Sequence, residues 1–183
     1  MQTVIPFRVG PLVAAVALIL SIGFVAIQYG DAQAQAQESS VSTQTSKACV
    51  RSKHHLERNK HNAVAFYTMA FNDKNPRRAV QLYGGSEYIQ HNPLAPNGFD
   101  AFISFVESFT TAFPDVHIDI RRVIAECDTV VTHALATGAV PVFTELGTKL
   151  VDIFRLDANG KIVEHWDVGA AISPTSANGN PEV

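Results

Sequence analysis

Five side chains on segments that alternate like β-strands are candidates for acid–base chemistry. They are three histidines and two aspartates, namely His91, His133, Asp152, His165 and Asp167. A histidine changes charge near neutral pH, and a carboxylate among apolar side chains is desolvated unless it is paired. Both kinds of side chain are therefore candidates for general acid–base catalysis.

Side-chain alternation along a strand determines which residues share a face. His133 falls on the same side of its segment as Val131, and Asp152 falls on the same side as Phe154. His91 shares a side with apolar residues of the segment YIQHNP. The pattern therefore predicts that these three polar side chains point from three strands into one apolar interior.

The segments TKLVDIFRL and KIVEHWDVGAAI predict an antiparallel hairpin. They are separated by DANG, and its Asn159-Gly160 pair strongly favours a tight turn. The simplest closure places Asp157 opposite Gly160. A bulge at the turn would shift the pairing by one residue and exchange the two faces of the last strand.

The two registers lead to different sites, and the sequence leaves both open. Without a bulge, His165 lies opposite Asp152, with Asp167 on the same side. With a one-residue bulge, Trp166 lies opposite Asp152, with Glu164 on that side. The first register places a His/Asp pair beside Asp152, and the second places an aromatic wall there.

Three helices are predicted before the strands, in LERNKHNAVAFYTMAFN, PRRAVQLY and GFDAFISFVESFTTAFP. The third carries apolar residues at three- and four-residue steps, which is typical of a helix that packs on a core: Phe99, Phe102, Val106, Phe109 and Phe113. From Val116 onward the period changes to two, over four or five strands. The predicted class is α+β, with three N-terminal helices packed on a strongly curved, mostly antiparallel sheet.

The composition is typical of one globular domain with a short appendage, at 183 residues and 46% hydrophobic content. The net charge is −3, and the 14 lysines and arginines are thinly spread. No broad basic face is available for a phosphate backbone, so nucleic acid is not an expected partner.

The N-terminal segment is expected to direct export. The uncharged run from Val9 to Ile27 is long enough to span a bilayer. Ala32, Ala34 and Ala36 then supply small residues where a signal peptidase would cut. Residues 1–36 are predicted to be a signal peptide or an N-terminal membrane anchor, and an uncleaved segment would be the chain's only membrane contact.

The rest of the chain is then periplasmic, secreted or anchored facing outside. Residues 37–55 are predicted to be a flexible linker, because Ala, Gln, Ser and Thr leave almost nothing to bury. Residues 56–172 are the predicted domain, and residues 173–183 a disordered tail. Cys49 and Cys127 could form a disulfide, but two unrelated thiols are favoured, since Cys49 lies in the linker.

A resemblance to a known family emerges from the order of these segments. AFYTMAFN, YIQHNP, VVTHA and VDIFRLDANGKIVEHWDV, in that order, resemble the SnoaL-like proteins of the nuclear-transport-factor-2-like superfamily, over Leu56 to Ile172. The resemblance implies a cone-shaped α+β barrel that encloses a deep hydrophobic pocket and often dimerises through its sheet. Polyketide cyclases of this family catalyse an intramolecular aldol condensation without metal or cofactor, using an Asp/His pair.

The resemblance also implies a set of site residues. By resemblance, the catalytic candidates are Asp152, His133, His91 and Asp167, and the unbulged hairpin register adds His165. The side chains expected to line the pocket are mostly aromatic: Tyr67, Tyr88, Phe102, Phe109, Val131, Phe154 and Trp166.

The leading hypothesis is a cofactor-independent lyase or isomerase that acts on a small hydrophobic carbonyl compound, as a homodimer. Asp152, helped by His133, would be the base, and His91 with His165 or Asp167 would polarise the enolate oxygen. One alternative is a non-catalytic module that binds a hydrophobic ligand or dimerises. Another is a metal site of His91, His133 and Asp152, although tight ligand spacing is missing.

Overall fold

The computed structural model describes residues 52–183, which form three helices and five strands. Helix α1 (Lys53–Tyr67) runs into a π-helical turn (Thr68–Asn72) and is followed by α2 (Pro76–Tyr83), β1 (Gly84–Gln90) and α3 (Phe99–Ala112). The remaining strands are β2 (His117–Glu126), β3 (Thr129–Thr137), β4 (Thr148–Leu156) and β5 (Ile162–Ala171). The predicted signal or anchor segment lies outside the described residues, as does most of the linker.

Helix α1 begins three residues before the predicted domain boundary. Its N-cap is Ser52, whose hydroxyl accepts the backbone N–H of His55 at 3.2 Å. Such a cap satisfies one of the backbone donors that a helix start leaves free. Within residues 52–183, no helix is both long and apolar enough to cross a membrane.

The sheet has the strand order β1-β5-β4-β3-β2. Strands β2 to β5 form an antiparallel meander, and β1 joins the edge parallel to β5. The sheet is strongly curled without closing, and the three helices pack on it. The predicted α+β class is confirmed.

The core is aromatic and continuous between helices and sheet. Phe66 of α1 is fully buried and stacks on Phe102 of α3, with ring centroids 4.9 Å apart. Phe154 of β4 meets Tyr67 edge-on at 5.1 Å. Edge-to-face and offset ring pairs are the favoured geometries, so these contacts fix α1 against the inner face of the sheet.

The β4–β5 hairpin contains two irregularities where the simple register has none. At the turn, the carbonyl of Asp157 accepts the N–H of Gly160 at 2.9 Å, but the N–H of Asp157 donates to the carbonyl of Lys161 at 2.8 Å. Gly160 is thus the extra residue of the turn, and it adopts a left-handed φ of 77°. A second shift occurs between Arg155 and Leu156, where β5 holds one extra residue. Each irregularity moves the pairing by one residue.

Together, the two shifts give a register that differs from both registers considered in the sequence analysis, the unbulged one and the one with a single bulge. Asp152 faces Asp167, and His165 faces Phe154. Because a shift of two residues preserves the face, His165 and Asp167 share the side of Asp152, as the unbulged register predicts. The bulged alternative is wrong, since Trp166 lies opposite Ile153 on the other face.

Two further expectations concern the cysteines and the tail. Cys127 is disulfide-bonded, which contradicts the favoured interpretation of two unrelated thiols. Cys49, the chain's other cysteine, lies outside the described residues. Residues 173–183 contain no helix or strand, but Glu182 forms an ion pair with Lys149 and accepts the N–H of Ser173 at 2.7 Å.

Candidate active site

The carboxylate of Asp152 lies at the centre of a hydrogen-bonded group inside the fold. The Tyr67 hydroxyl donates to Asp152 Oδ1 at 2.9 Å, and the Thr132 hydroxyl donates to Oδ2 at 3.2 Å. His165 Nε2 lies 3.3 Å from the same Oδ1. We call Tyr67, Thr132, Asp152 and His165 the interior cluster. Asp152 is 1% exposed and His165 is 2% exposed, so the cluster is shielded from water.

Each member of the interior cluster is positioned by a different element. Tyr67 is the last residue of α1, where the helix widens into the π-helical turn that the Asp73 N–H closes on the Thr68 carbonyl at 3.0 Å. Such turns often mark functional sites. Thr132 of β3 is the cross-strand partner of Asp152 on β4, and His165 projects from the adjacent β5.

The second ring nitrogen of His165 faces the end of β1. His165 Nδ1 lies 3.2 Å from Gln90 Nε2 and 3.3 Å from Gln90 Oε1. Gln90 and His165 are partners in the parallel β1–β5 pairing. The imidazole plane lies between Tyr88, at 6.2 Å, and Phe154, at 4.9 Å, and is roughly parallel to both rings. The ring is thus held by contacts on its edges and on its faces.

Burial and negative charge keep two tyrosines of this region protonated. Burial, and next the charge of Asp152, raises the pKa of Tyr67 well above its ordinary value of 10.0. The pKa of Tyr88 is raised by burial and by the charges of Asp167 and Asp152. Both hydroxyls are therefore hydrogen-bond donors at neutral pH.

The interior cluster is closed in this structure. Its apolar surroundings, which include Phe66, Phe71 and Phe154, are themselves buried and pack on each other. Every buried polar side-chain atom in residues 52–183 has a hydrogen-bond partner. Two shallow depressions lie elsewhere, with volumes of about 160 and 200 Å³. The first is on the outer face beside Val168, and the second lies beside the C-terminal residues.

Asp167 lies on the inner side but is exposed. Its two carboxylate oxygens accept hydrogen bonds from Asn92 Nδ2 at 3.0 and 3.1 Å. Asp167 therefore lies at the rim of the interior cluster. After burial and the charge of Asp152, its charge also contributes to the raised pKa of Tyr67.

His133 and His91 do not join the interior cluster, which corrects the prediction. His133 is the neighbour of Thr132 on β3, so it points to the outer face, where its Nδ1 lies 3.0 Å from Arg122 NH1. His91 follows β1 and also turns outward. The prediction failed because both faces of β3 are apolar, and the inner row consists of small residues that give a weak signal.

On the outer face, His91 belongs to a second polar group, which we call the outer-face network: His91, Arg155, Glu164 and Trp166. The imidazole stacks on the Trp166 ring at 4.4 Å, and its Nε2 lies 2.8 Å from Glu164 Oε1. Arg155 bonds the other carboxylate oxygen. Burial opposes ionisation of Glu164, but the hydrogen bonds from His91 and Arg155 outweigh it, so its pKa is lowered.

The predicted pocket residues divide in the same way. Five of them lie in the interior: Tyr67, Tyr88, Phe102, Phe109 and Phe154. Val131 and Trp166 lie on the outer face. Sequence reasoning missed Thr132 and Gln90; alternation with Val130 and Ala134 would have found Thr132 once the small residues were recognised as the inner row.

A metal site of His91, His133 and Asp152 is contradicted by the geometry. Both histidines are on the outer face and the aspartate is on the inner face. Across residues 52–183, no group of three or more His, Cys, Asp or Glu side chains is placed to hold a metal ion.

Comparison with known proteins agrees with the fold. The family model of the SnoaL-like domain matches residues 63–165, more than half of the chain. The chain belongs to the SnoaL-like family. Among curated proteins, no significant match is found.

Solved structures of similar fold come from several bacteria. A protein from Bacillus cereus ATCC 10987, described as a polyketide cyclase, has a TM-score of 0.55 at 20% identity and covers 64% of this chain and 78% of its own. A protein from Jannaschia sp. CCS1, described as a SnoaL-like polyketide cyclase, has a TM-score of 0.54 at 20% identity, with 65% and 89% covered. At these identities the likeness shows the SnoaL-like fold alone.

The raised pKa of Tyr67 predicts a pH-dependent contribution to stability. Unfolded tyrosine ionises near its ordinary pKa of 10.0, whereas folded Tyr67 stays protonated to higher pH. The stabilisation is therefore complete below that pH and is lost as the pH rises above it. At neutral pH, Tyr67→Phe should lower the free energy of unfolding by about 1–3 kcal/mol, because Asp152 loses a donor.

Urea unfolding of both proteins at neutral pH and above pH 10.0 checks this. The difference between wild type and Tyr67→Phe should shrink at the higher pH. Tyr83→Phe, which removes a hydroxyl outside the interior cluster, is the matched control. If the difference in the free energy of unfolding between wild type and Tyr67→Phe is the same at both pH values, the raised pKa of Tyr67 is contradicted.

Proposed function

We propose that this SnoaL-like protein is a cofactor-independent lyase or isomerase that moves a proton next to the carbonyl of a small hydrophobic compound. One observation carries the proposal: the buried carboxylate of Asp152 has Tyr67 and His165 within 3.3 Å in an apolar interior. A base beside two donors, away from water, is the arrangement that enolate formation requires.

The proposed reaction uses Asp152 as the base. Asp152 takes a proton from the carbon next to the carbonyl, the electron pair of the broken C–H bond forms a C=C bond, and the π pair of the carbonyl moves onto its oxygen to give an enolate. Protonation removes the negative charge of Asp152, so the Tyr67 hydroxyl and the His165 N–H can donate to the enolate oxygen instead. The enolate carbon then attacks a second carbonyl, which forms a C–C bond, restores the first carbonyl and leaves an alkoxide that takes the proton back from Asp152. In an isomerase, Asp152 instead returns the proton to another carbon.

Tyr67 and His165 replace His133 and His91 in this scheme. The sequence-based hypothesis assigned the helping and polarising roles to the latter two, which face outward. A hydroxyl whose pKa is raised stays protonated at neutral pH, which suits Tyr67 to donation rather than to proton abstraction.

A substrate reaches Asp152 only if the interior opens. Tyr67, Tyr88 and Phe154 surround the carboxylate and His165, and they fill the space that a ring-shaped ligand would need. We propose that ligand binding moves these aromatic side chains aside. Several relatives are named as polyketide cyclases, which is consistent with carbonyl chemistry but does not identify a substrate for this chain.

We also propose that the protein is exported. The apolar run from Val9 to Ile27 and the small residues after it favour export. The disulfide at Cys127 adds support, because disulfides persist in oxidising compartments and are rare in the cytosol.

The second candidate function is a non-catalytic module that dimerises through its outer face. The closed interior, whose polar groups bond to each other, favours this alternative. A cross-strand row of apolar side chains also crosses the outer face: Ile124, Val131, Ile153 and Trp166. In the adjacent row, Val168 is 64% exposed. An apolar patch of this kind marks interaction sites in soluble proteins.

The catalytic proposal predicts a specific loss in Asp152→Asn. In D₂O, the wild type should accelerate deuterium incorporation next to the carbonyl of hydrophobic 1,3-diketones or β-keto esters, as measured by mass spectrometry. Asp152→Asn should lower that rate roughly 100-fold or more, because the base is gone. Asp119→Asn, at an exposed aspartate paired with Arg121, should leave it unchanged.

Circular dichroism of the variants separates loss of the base from loss of the fold. Equal exchange rates for wild type and folded Asp152→Asn would remove Asp152 from the proposed role. If none of the 1,3-diketones and β-keto esters exchanges faster with the wild type than in buffer, the non-catalytic alternative is favoured.

The dimer alternative predicts that a charge on the outer face weakens self-association. Val168→Asp should shift the protein from dimer to monomer in light scattering, since a charge in an apolar interface is desolvated without a partner. Leu94→Asp, at a side chain that is 61% exposed but lies on the loop after β1, is the control and should stay dimeric. A monomeric wild type would refute the dimer.

Export predicts the redox state of the cysteines in the cell. Alkylation of intact cells without reductant should leave both cysteines unlabelled, and the tagged protein should fractionate outside the cytosol. Labelling at both cysteines after reduction is the control. A full-length, fully labelled protein in the cytosolic fraction would contradict export.

A further inference from the structure

The side chain of Gln90 bridges the interior cluster and the segment that follows β1. Its carbonyl oxygen accepts the backbone N–H of Asn92 at 3.0 Å. A backbone N–H can only donate, so this bond fixes which end of the amide is oxygen. The NH₂ group of Gln90 is therefore the end that lies 3.2 Å from His165 Nδ1. It has two hydrogens, so it can donate to Nδ1 as well as to the Tyr88 hydroxyl at 3.5 Å.

The opposite edge of the imidazole supports the same assignment. His165 Nε2 lies 3.3 Å from Asp152 Oδ1. The oxygens of an ionised carboxylate accept hydrogen bonds and cannot donate them. The Tyr67 hydroxyl also lies 3.2 Å from Nε2, but its single hydrogen is donated to Asp152 Oδ1 at the shorter distance of 2.9 Å, so its oxygen can only accept from the ring. A bare Nε2 would therefore face two acceptors, the carboxylate and the hydroxyl oxygen. In a neutral imidazole one nitrogen carries the proton and the other accepts, so a proton on Nε2 leaves Nδ1 to accept from the Gln90 amide.

We infer that Gln90 is a positioning residue that holds His165 in the tautomer protonated at Nε2, with the ring N–H directed at Asp152. The oxygen of the Gln90 amide lies 3.3 Å from Nδ1 and accepts the Asn92 N–H, and this bond holds the amide with its NH₂ end at the shorter distance of 3.2 Å from the ring. Within residues 52–183, the Gln90 side chain has hydrogen bonds to Tyr88, Asn92 and His165 but none to Asp152. It acts through the ring of His165.

The segment around Gln90 is anchored on both faces of the sheet, which keeps the amide in place. The Asn92 side chain bonds to Asp167 at the rim of the interior cluster. His91, between them, bonds to Glu164 and stacks on Trp166 on the outer face. The outward turn of His91 thus has a structural role: it places Gln90 and Asn92 on the inner side.

The consequence for catalysis rests on the proposed function. With its proton on Nε2, His165 is a donor to Asp152 and later to the enolate oxygen. With its proton on Nδ1, the ring would present a lone pair to Asp152 and could not stabilise the enolate. Selection of a histidine tautomer by a neighbouring group is a known determinant of activity in enzymes.

Nuclear magnetic resonance of the ¹⁵N-histidine-labelled full chain tests the tautomer directly. Spectra recorded at about pH 8, above the ordinary pKa of histidine, distinguish pyrrole-type from pyridine-type ring nitrogens. The wild type should show His165 Nε2 as pyrrole-type and Nδ1 as pyridine-type. Resonances missing in His165→Gln identify the residue. The reverse pattern in the wild type would overturn the inference.

A variant at Gln90 tests the cause. Gln90→Glu replaces the donor facing Nδ1 with an acceptor of the same size, so Nδ1 should become protonated and lose its pyridine-type shift. Gln81→Glu, an exposed residue on α2, is the matched control and should leave His165 unchanged. An unchanged His165 spectrum in folded Gln90→Glu would overturn the positioning role. If Gln90→Glu does not fold, the wild-type spectrum still decides the tautomer.

Activity gives a second, separable result. Gln90→Glu should lower kcat roughly 100-fold with a smaller change in KM, in the range known for misoriented catalytic histidines. Full kcat with a protonated Nδ1 would overturn the catalytic consequence. The spectra need no substrate, so failure of the proposed function leaves the tautomer result intact.

Discussion

A single buried carboxylate constrains the interior of this protein. Asp152 is ionisable and 1% exposed, and it lies among aromatic rings. An unpaired charge there would cost several kcal/mol, so each hydrogen bond to it is a structural requirement. Tyr67, Thr132 and His165 supply those bonds from α1, β3 and β5. This requirement explains three features of the fold: the end of α1, the register of β4 with β5, and the position of residues 90–92.

The π-helical turn and the two hairpin irregularities are local adjustments that place Tyr67 and His165 beside Asp152. The turn follows Tyr67 directly, at the point where its hydroxyl must reach Asp152. In the hairpin, one shift alone would turn His165 outward and Trp166 inward, and two shifts together restore His165 to the inner face. The same pair of shifts brings Glu164 and Trp166 to the outer face, where they hold His91.

The sequence predicts most of the secondary structure, but the register and the position of His133 could not be predicted, for physical reasons. Periodicity predicts the three helices, the strands after Val116 and the inward position of Asp152. The register could not be predicted, because a bulge leaves little sign in side-chain type. His133 was misplaced because the outer residues Val131 and Leu135 are as apolar as the inner residues Val130 and Ala134, so side-chain type does not distinguish the two faces. The bond of Gln90 to His165 joins residues far apart in the chain, and only the parallel β1–β5 pairing reveals it.

The central claim is that the interior cluster is a ligand site that opens, rather than a polar group buried for stability alone. A crystal structure of the chain with 2-naphthol, a planar mimic of an enolate, tests this most directly, because mimics of the reacting state bind where the reaction occurs. The account predicts the naphthol oxygen within hydrogen-bonding distance of Tyr67 and Asp152, with Tyr88 or Phe154 displaced. Naphthol bound only at the outer-face depression beside Val168, with the cluster still closed, would contradict it.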